Sequence, residues 1–491
     1  MPNYVTSVGM EVHAELLTKS KMFCRCEVKF GGEPNTRTCP ICLGMPGTLP
    51  VPNRVAIEMV IRTALALNCT IAMESVFDRK NYFYPDLPKG FQVSQYGETN
   101  PLGYKGWLDI PAKDGGTKRI RITRVHLEED TGKLMHLPTG GAGVDFNRAG
   151  VPLMEIVTDF PPDITNSDEA REYLVQLRQI LLYIGVCDGK MEQGSMRCEP
   201  NISIRPEGSE EYGTKTELKN LNSYRAVQGG VRYESERQAK VLDEGGTVHQ
   251  ETRGWNEGTD SSYLMRTKES EQDYRYFTCP DLAPMNFKED YIEKLRSELP
   301  ELPLARKQRF MSEYGLSEED ANQLVADRAW AEYFEAAMRL GGDPKHVCNW
   351  MNSEFMRLLN ETSQAARVDG NDPDGRELSK VRPEQIVELT KLIQEGTISG
   401  KIGKEVFEEL FKTGRNPGDI VEEKGLTQIS DSSFIEKLVD DVMNSNPEPV
   451  KKYREGKLGV IGFLVGQVMK SSQGRANPQI VQAELKKQLE E

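Results

Sequence analysis

The chain has 491 residues, more than one hydrophobic core organises and enough for roughly two to four domains. Its 37% hydrophobic and 28% charged content is that of an ordinary globular protein, and no apolar run approaches the ~20 residues of a membrane span. A net charge of −14 excludes a basic nucleic-acid coat but not a local basic patch, and nine cysteines behind an N-terminus without signal-peptide character point to thiols in the cytoplasm.

The first pattern is GMEVHAEL, residues 9 to 16. Val8, Met10, Val12, Ala14 and Leu16 share one parity, and Glu11, His13 and Glu15 share the other. Period two predicts a strand with a core face and a polar face. Alternating charge most often marks a solvated surface, so this row alone decides nothing. Next come Cys24, Cys26, Cys39 and Cys42, spaced C-x-C-x12-C-x2-C. Four soft thiolates at this spacing suit tetrahedral zinc, and four protein ligands make a closed, structural site. Residues 54 to 68 predict a helix.

In RIRITRVHLEED (119 to 130), Ile120 and Ile122 share parity with Arg124, His126 and Glu128. Glu129 shares that of Val125 and Leu127 unless the strand ends or bulges there. The Gly-rich run at 139 to 153 lacks the dinucleotide pattern, and TGKL at 131 and IGKE at 402 lack the rest of a Walker motif. Residues 167 to 185 predict a helix with the stripe Leu174, Leu177, Leu181 and Ile184, capped by Asn166 or Ser167 and ended by Gly185. GVCDG (185 to 189) imitates a nucleophile elbow, but a helix precedes it and a strand pattern follows, so Cys187 reads as a buried thiol. In residues 195 to 205, Met196, Cys198, Ile202 and Ile204 oppose Arg197, Glu199, Asn201, Ser203 and Arg205; in GTKTELKN, Lys215, Glu217 and Lys219 share a face. After about residue 294 long helical patterns follow, with loops at GGDP, DGNDPDGRE and NSNPEP. The reading is an α+β domain, a helical domain and a small helical tail.

Acid mixed with Arg and Lys on several strands suits a concave polar sheet. Such a face holds Mg2+ (or Mn2+) through oxygens and a triphosphate through cations. A solvated sheet is the competing reading.

Taken in order, GMEVHAEL, CPICLGMPGTLPVPN, DRKNYFYPDLPKGFQVSQY, HLEEDTGK, DFNRAGVPLMEIVTD, MEQGSMRCEPNISIRP, GTKTELKNLNSY, QETRGW, DYRYFTCPDL and GFLVGQVMK resemble the GatB family, the B subunits of the tRNA-dependent amidotransferases. The resemblance runs from about residue 3 to the C-terminus. It implies a glutamine-synthetase-like antiparallel-sheet cradle at 1–294, an all-α helical domain at 295–410 and a YqeY-like tRNA-contacting tail at 411–491. It implies a ligase that uses ATP to phosphorylate the side-chain carboxylate of misacylated Glu-tRNA(Gln) or Asp-tRNA(Asn). Ammonia from a glutaminase of the amidase type, the family's A subunit, then displaces the phosphate, and the small C subunit braces the pair.

By motif, the resemblance places Glu11, His13, Glu199 and Glu217, with Glu128 or Glu129, around Mg2+. Lys80, Arg148 and Lys215 are its candidate cations, and Asn201 and Arg205 fall beside the nucleotide. The family often has Asp where this chain has Glu199, and only part of it carries the four cysteines. Lys451, Lys452, Arg454, Lys457, Lys470 and Arg475 form a basic set in the tail suited to tRNA phosphates. The alternative is a zinc-stabilised tRNA adaptor without chemistry of its own. A stand-alone glutamine synthetase relative fits the tail poorly.

Overall fold

The alternation at residues 8 to 16 becomes β1 (Tyr4–Glu15) in a computed structural model that describes residues 3–136, 140–267, 273–361, 380–428, 432–472 and 475–490. After β1 come α1 (Arg54–Ala66), β2 (Thr70–Ile71), the hairpin β3 (Asp78–Asn81) and β4 (Phe91–Ser94), and the pair β5 (Gly103–Pro111) and β6 (Thr117–Glu129). Then follow β7 (Pro152–Thr158), α2 (Ser167–Tyr183), β8 (Met196–Pro206), β9 (Thr216–Lys219), α3 (Tyr224–Asp243), β10 (Glu251–Asn256) and β11 (Ser261–Thr267). Among the described residues nine strands form one sheet in the order β11-β10-β9-β8-β1-β7-β6-β5-β2. It is antiparallel, as the resemblance implies, except that β9 and β10 run parallel. The helix α3 connects those two strands, and a helical crossover returns the chain in the same direction.

Val8, Val12 and Ala14 are wholly buried on the face that α1, α2 and α3 cover. Each helix starts where the sequence supplies a cap. The Asn53 side chain accepts from the Val55 and Ala56 amides, and that of Asn166 accepts from the Glu169 amide. Gly185 takes a φ of 68° just beyond α2, a left-handed turn that ends the helix at low cost. The face of α1 lies so close to β5 that a Cβ at Gly103 would collide with that of Ala64.

One parity expectation fails. The β6–β7 register shifts by a residue where Val157 faces Arg124 and Thr158 faces Ile122. This bulge lets Ile120, Ile122, Val125 and Leu127 all join one core, while Arg124, His126 and Glu128 turn to the opposite face.

The chain divides into two compact units, Met1–Leu302 and Pro303–Glu491. The expected boundary at 294/295 falls inside the helix Glu289–Ser297, whose Ile292 and Leu295 belong to the first core. The described elements of the second unit are helical and make two apolar clusters, Phe310 to Val421 and Ile435 to Leu489. The expected division at 410/411 lies within the helix Gly400–Thr413, and Phe411 still packs in the earlier cluster. In the GGDP loop Asp343 caps the helix Pro344–Trp350, and Pro447 of NSNPEP opens the helix Pro447–Arg454. The DGNDPDGRE segment falls outside the described residues. Among the described residues no helix is long and apolar enough to cross a membrane.

Candidate active site on the polar sheet face

The polar rows of the middle strands meet side by side. Across β1, His13 lies opposite Glu155 on β7 and Arg197 on β8, and Glu155 lies opposite His126 on β6. One step along, Glu11 faces Glu199, and Asn201 faces Glu217 on β9. The centre of this face is buried: His126 and Glu128 are each 3% exposed. Burying carboxylates costs several kcal/mol apiece unless cations compensate.

His13, Glu128 and Glu155 offer ligand atoms that all lie within 4.8 Å of one another. His13 Nε2 stands 3.5 Å from Glu155 Oε2 and 3.8 Å from Glu128 Oε1. His126 Nε2 stands 3.3 Å from Glu155 Oε2 and 3.7 Å from Glu128 Oε2, while its Nδ1 is buried without a hydrogen-bond partner. Burial alone would lower the His13 pKa, but Glu155 and then Glu128 push it up to about 9. For Glu155, burial opposes ionisation, yet His126 and His13 hold its pKa well below the usual range. The carboxylate pair thus raises the proton affinity of both imidazoles, the mark of a site short of positive charge. One oxygen-binding divalent cation between His13, Glu128 and Glu155 would supply it.

Lys80, on β3, approaches the same pair. Burial disfavours its charge, but Glu128 and then Tyr276 and Glu155 raise its pKa overall. Its Nζ sits 4.9 Å from the centre of the Tyr274 ring. Glu11 accepts from Asn201 Nδ2 at 3.0 Å, and burial followed by Glu155, Glu199 and Glu217 pushes its carboxyl pKa up. Glu199 and Glu217 are both bound by Lys219, and Thr252 Oγ1 donates to the second oxygen of Glu217 at 2.9 Å.

The structure therefore brings together Glu11, His13, Glu128, Glu199, Glu217, Asn201 and Lys80 from the sequence-expected set. Other expected residues lie elsewhere. Glu129 turns to the reverse side, where it pairs with Lys89 and accepts from the Val93 amide at 2.9 Å. Successive strand residues point to opposite faces, so Glu128 and Glu129 cannot share the centre. Arg148 is the exception: it donates to the carbonyls of Thr131 and Gly132 and stands 3.6 Å from Asp130, which accepts at 2.5 Å from Arg197, the residue opposite His13, so it borders the same face. Lys215 is exposed just before β9, and Lys219 takes the place expected of it. Arg205 lies opposite Val5 at the other end of β8, with its guanidinium over the Tyr212 ring.

Sequence reasoning missed Glu155 and Lys219 as site residues. The one signal for Glu155 was a lone carboxylate inside the apolar run Leu153–Val157. No buried, uncompensated acid belongs there without a cation.

The four cysteines also converge, with Sγ atoms within 4.8 Å of one another. Tetrahedral zinc at ~2.3 Å spaces its thiolates about 3.8 Å apart, so small shifts would complete the site. The Cys39 amide donates to Cys42 Sγ at 3.2 Å, and buried Lys21 Nζ lies 3.6 Å from the same sulfur. Cys24 above all, with the Cys39 amide and Lys21, lowers the Cys42 thiol to about 4, although burial opposes this. Cys187 is 1% exposed and burial pushes its thiol up to about 12, as befits an inert core residue.

In the second unit, Lys451, Lys452, Arg454, Lys457 and Lys470 are exposed. Arg475 is the exception, half-buried beside Ala476.

Residues 6–293 match the GatB/GatE catalytic domain family and residues 332–489 the GatB domain family. Similar curated proteins include the B subunit of the aspartyl/glutamyl-tRNA(Asn/Gln) amidotransferase of Thermodesulfovibrio yellowstonii, 52% identical over 97% of this chain and 98% of that protein. That of Caldanaerobacter subterraneus subsp. tengcongensis is 52% identical over 99% of each, and that of Brevibacillus brevis 50% over 98% of each. The polar sheet face thus sits in the portion that matches the catalytic domain, and the chain belongs to the GatB family of amidotransferase B subunits.

Proposed function

We propose that this protein, within its amidotransferase, activates the side-chain carboxylate of Glu-tRNA(Gln) and/or Asp-tRNA(Asn) on the polar face of its sheet. The observation that carries the reading is the convergence of His13, Glu128 and Glu155 in a nearly dry site beside Lys80. A carboxylate oxygen of the charged amino acid attacks the γ-phosphorus of ATP, and ADP leaves with the bridging oxygen. Ammonia, released from glutamine by a partner glutaminase (the A subunit), then attacks the acyl carbon. Phosphate departs with the activated oxygen, and a proton leaves the nitrogen to give Gln-tRNA(Gln) or Asn-tRNA(Asn). A small third protein, the C subunit, completes the heterotrimer, working in the cytoplasm.

Mg2+ (or Mn2+) held by His13, Glu128 and Glu155 would neutralise charge on the phosphates during transfer. The remaining work falls to the chain's own groups. The Lys80 ammonium faces the carboxylate pair and draws an anionic substrate to it. Asn201 orients Glu11 across β1 and β8, so that its carboxylate edge is presented to the site. The buried setting keeps water from an activated acyl group. The cysteine cluster supplies a structural zinc site apart from this chemistry.

An adaptor without chemistry has no use for buried carboxylates gathered around two imidazoles. The test is ATP hydrolysis by the purified complex with and without misacylated tRNA. Hydrolysis should depend on charged tRNA and disappear in Glu11→Ala, with added ammonium salts failing to restore amidation. Normal ATP hydrolysis in that variant, or amidation rescued by ammonia, would return the protein to an adaptor role.

The tail is read as the part that grips tRNA away from the chemistry. Its exposed lysines and Arg454 offer phosphate contacts on a chain of net charge −14. Removing residues from about 432 onward should raise the KM for charged tRNA and leave glutamine hydrolysis intact. Each lost phosphate contact should flatten the log–log salt dependence by roughly one unit. Unchanged tRNA binding across a salt series would make the tail a structural appendage.

A further inference from the structure

Lys219 occupies an unusual place for a flexible side chain. Its Nζ lies 2.6 Å from Glu199 Oε2 and 3.1 Å from Glu217 Oε1, so one ammonium bridges two carboxylates from adjacent strands. Both acids belong to the face that carries Glu11. Thr252 holds the other oxygen of Glu217, which fixes that carboxylate with its remaining oxygen toward the lysine. The Lys219 side chain is 29% exposed, so it is seated in the site but not locked into the core. The Glu11–Glu199 pairing sets this bridge on the two strands next to β1, on the same face as His13.

Carboxylates so arranged would bind a divalent cation through oxygen, at distances shorter than an ammonium allows. An ammonium is a compact point charge on a four-carbon stem, able to leave one anion for another. Resting on the reading of this face as an ATP and divalent-cation site, we infer that Lys219 is an exchangeable resident cation. It neutralises Glu199 and Glu217 before substrate arrives, gives them up to a divalent cation that enters with the nucleotide, and swings its ammonium onto the nucleotide's phosphates. The exchange moves no covalent bond and no proton: a divalent cation replaces the ammonium on the two carboxylates, and the displaced ammonium, still charged, meets the polyphosphate that brought the ion in.

Mn2+ titration of the full amidotransferase complex, with and without ATP, tests the exchange. Lys219→Gln should bind Mn2+ without nucleotide about tenfold more tightly, because the Lys219 ammonium no longer competes for the two acids. The same variant should raise the KM for ATP about tenfold, with a smaller fall in kcat. Lys219→Arg should go the other way, since its fork pairs more firmly with carboxylates: Mn2+ binding weakens or stays level, and the KM for ATP is partly restored. Melting in EDTA shows whether each variant folds, and Lys219→Arg carries the test if Lys219→Gln does not. Unchanged or weaker Mn2+ binding in Lys219→Gln would make Lys219 a plain ion pair and overturn the inference, and so would Lys219→Arg that binds Mn2+ more tightly than the wild type. If His13→Ala leaves Mn2+ binding untouched, the reading of the site itself is wrong and the inference falls with it.

Discussion

Glu155→Gln should lower charged-tRNA-dependent ATP hydrolysis by about a hundredfold or more, with glutamine hydrolysis by the partner glutaminase retained. The substitution keeps the volume of the side chain and removes one negative charge from between two imidazoles. Glu155 touches His13 at 3.5 Å, His126 at 3.3 Å and Arg124 at 3.8 Å, so its loss disturbs both histidines together. The pH behaviour separates this from a folding defect. In the wild type the His13 proton is held up to about 9, so a cation that needs the neutral imidazole binds more tightly as pH rises toward that value. Without the Glu155 charge the rise should finish at lower pH. Stability carries the same signature. A raised histidine pKa stabilises the fold fully below the unfolded value near ~6.5, and that contribution disappears as pH climbs through about 9. Urea midpoints in EDTA should fall over this window in the wild type and fall less in Glu155→Gln. Full ATP hydrolysis in the variant would remove Glu155 from the site.

How much of this was legible in sequence depended on how local the cause was. Caps, stops and amphipathic stripes were readable because Asn166, Gly185 and the leucines of α2 act within a turn or two of themselves. The polar face was readable as a period-two row on each strand, but not as a site. Whether Glu11 and His13 meet water or other acids depends on which strands lie beside β1, and those are residues 152–158 and 196–206. The four-cysteine spacing was legible because a metal site imposes its own geometry on a short segment.

The misses have physical causes as well. A single bulge opposite Thr158 reversed the relation of Ile120 and Ile122 to Glu128, and no period-two count carries a one-residue slip. Lys215 and Lys219 share a parity, so pattern could not choose between them. The strand begins at Thr216, which leaves Lys215 at its mouth and draws Lys219 in against Glu199. Glu155 was hidden by the apolar residues around it, which mark β7 as a strand covered on both faces. The motif resemblance identified the family, but ligand partners had to come from strand register.

Loss of the metal expected at Cys24, Cys26, Cys39 and Cys42 should be a stability effect. Freshly purified protein should contain one zinc per chain, with four sulfurs near ~2.3 Å by X-ray absorption. Cys42→Ser should lower the melting temperature by about 10 °C, corresponding to a few kcal/mol for a unit of this size. That is well below the ~10–16 kcal/mol by which zinc binding drives small zinc fingers to fold, because here Met22 and Phe23 already belong to a large core. The segment is nonetheless tied into that core. The Met22 amide donates to the Gly150 carbonyl at 2.7 Å, and Asn53, which caps α1, donates to the Ser20 carbonyl at 3.0 Å. A loosened knuckle would therefore reach both the start of α1 and the turn before β7. Lys21→Met should act in the same direction and more weakly, since it removes the ammonium that steadies the Cys42 thiolate without removing a ligand. ATP hydrolysis per folded molecule should change little in either variant, because no cysteine of the cluster belongs to the carboxylate–imidazole group. A protein that holds no zinc, or that melts at the same temperature after Cys42→Ser, would reduce the cluster to four neighbouring thiols.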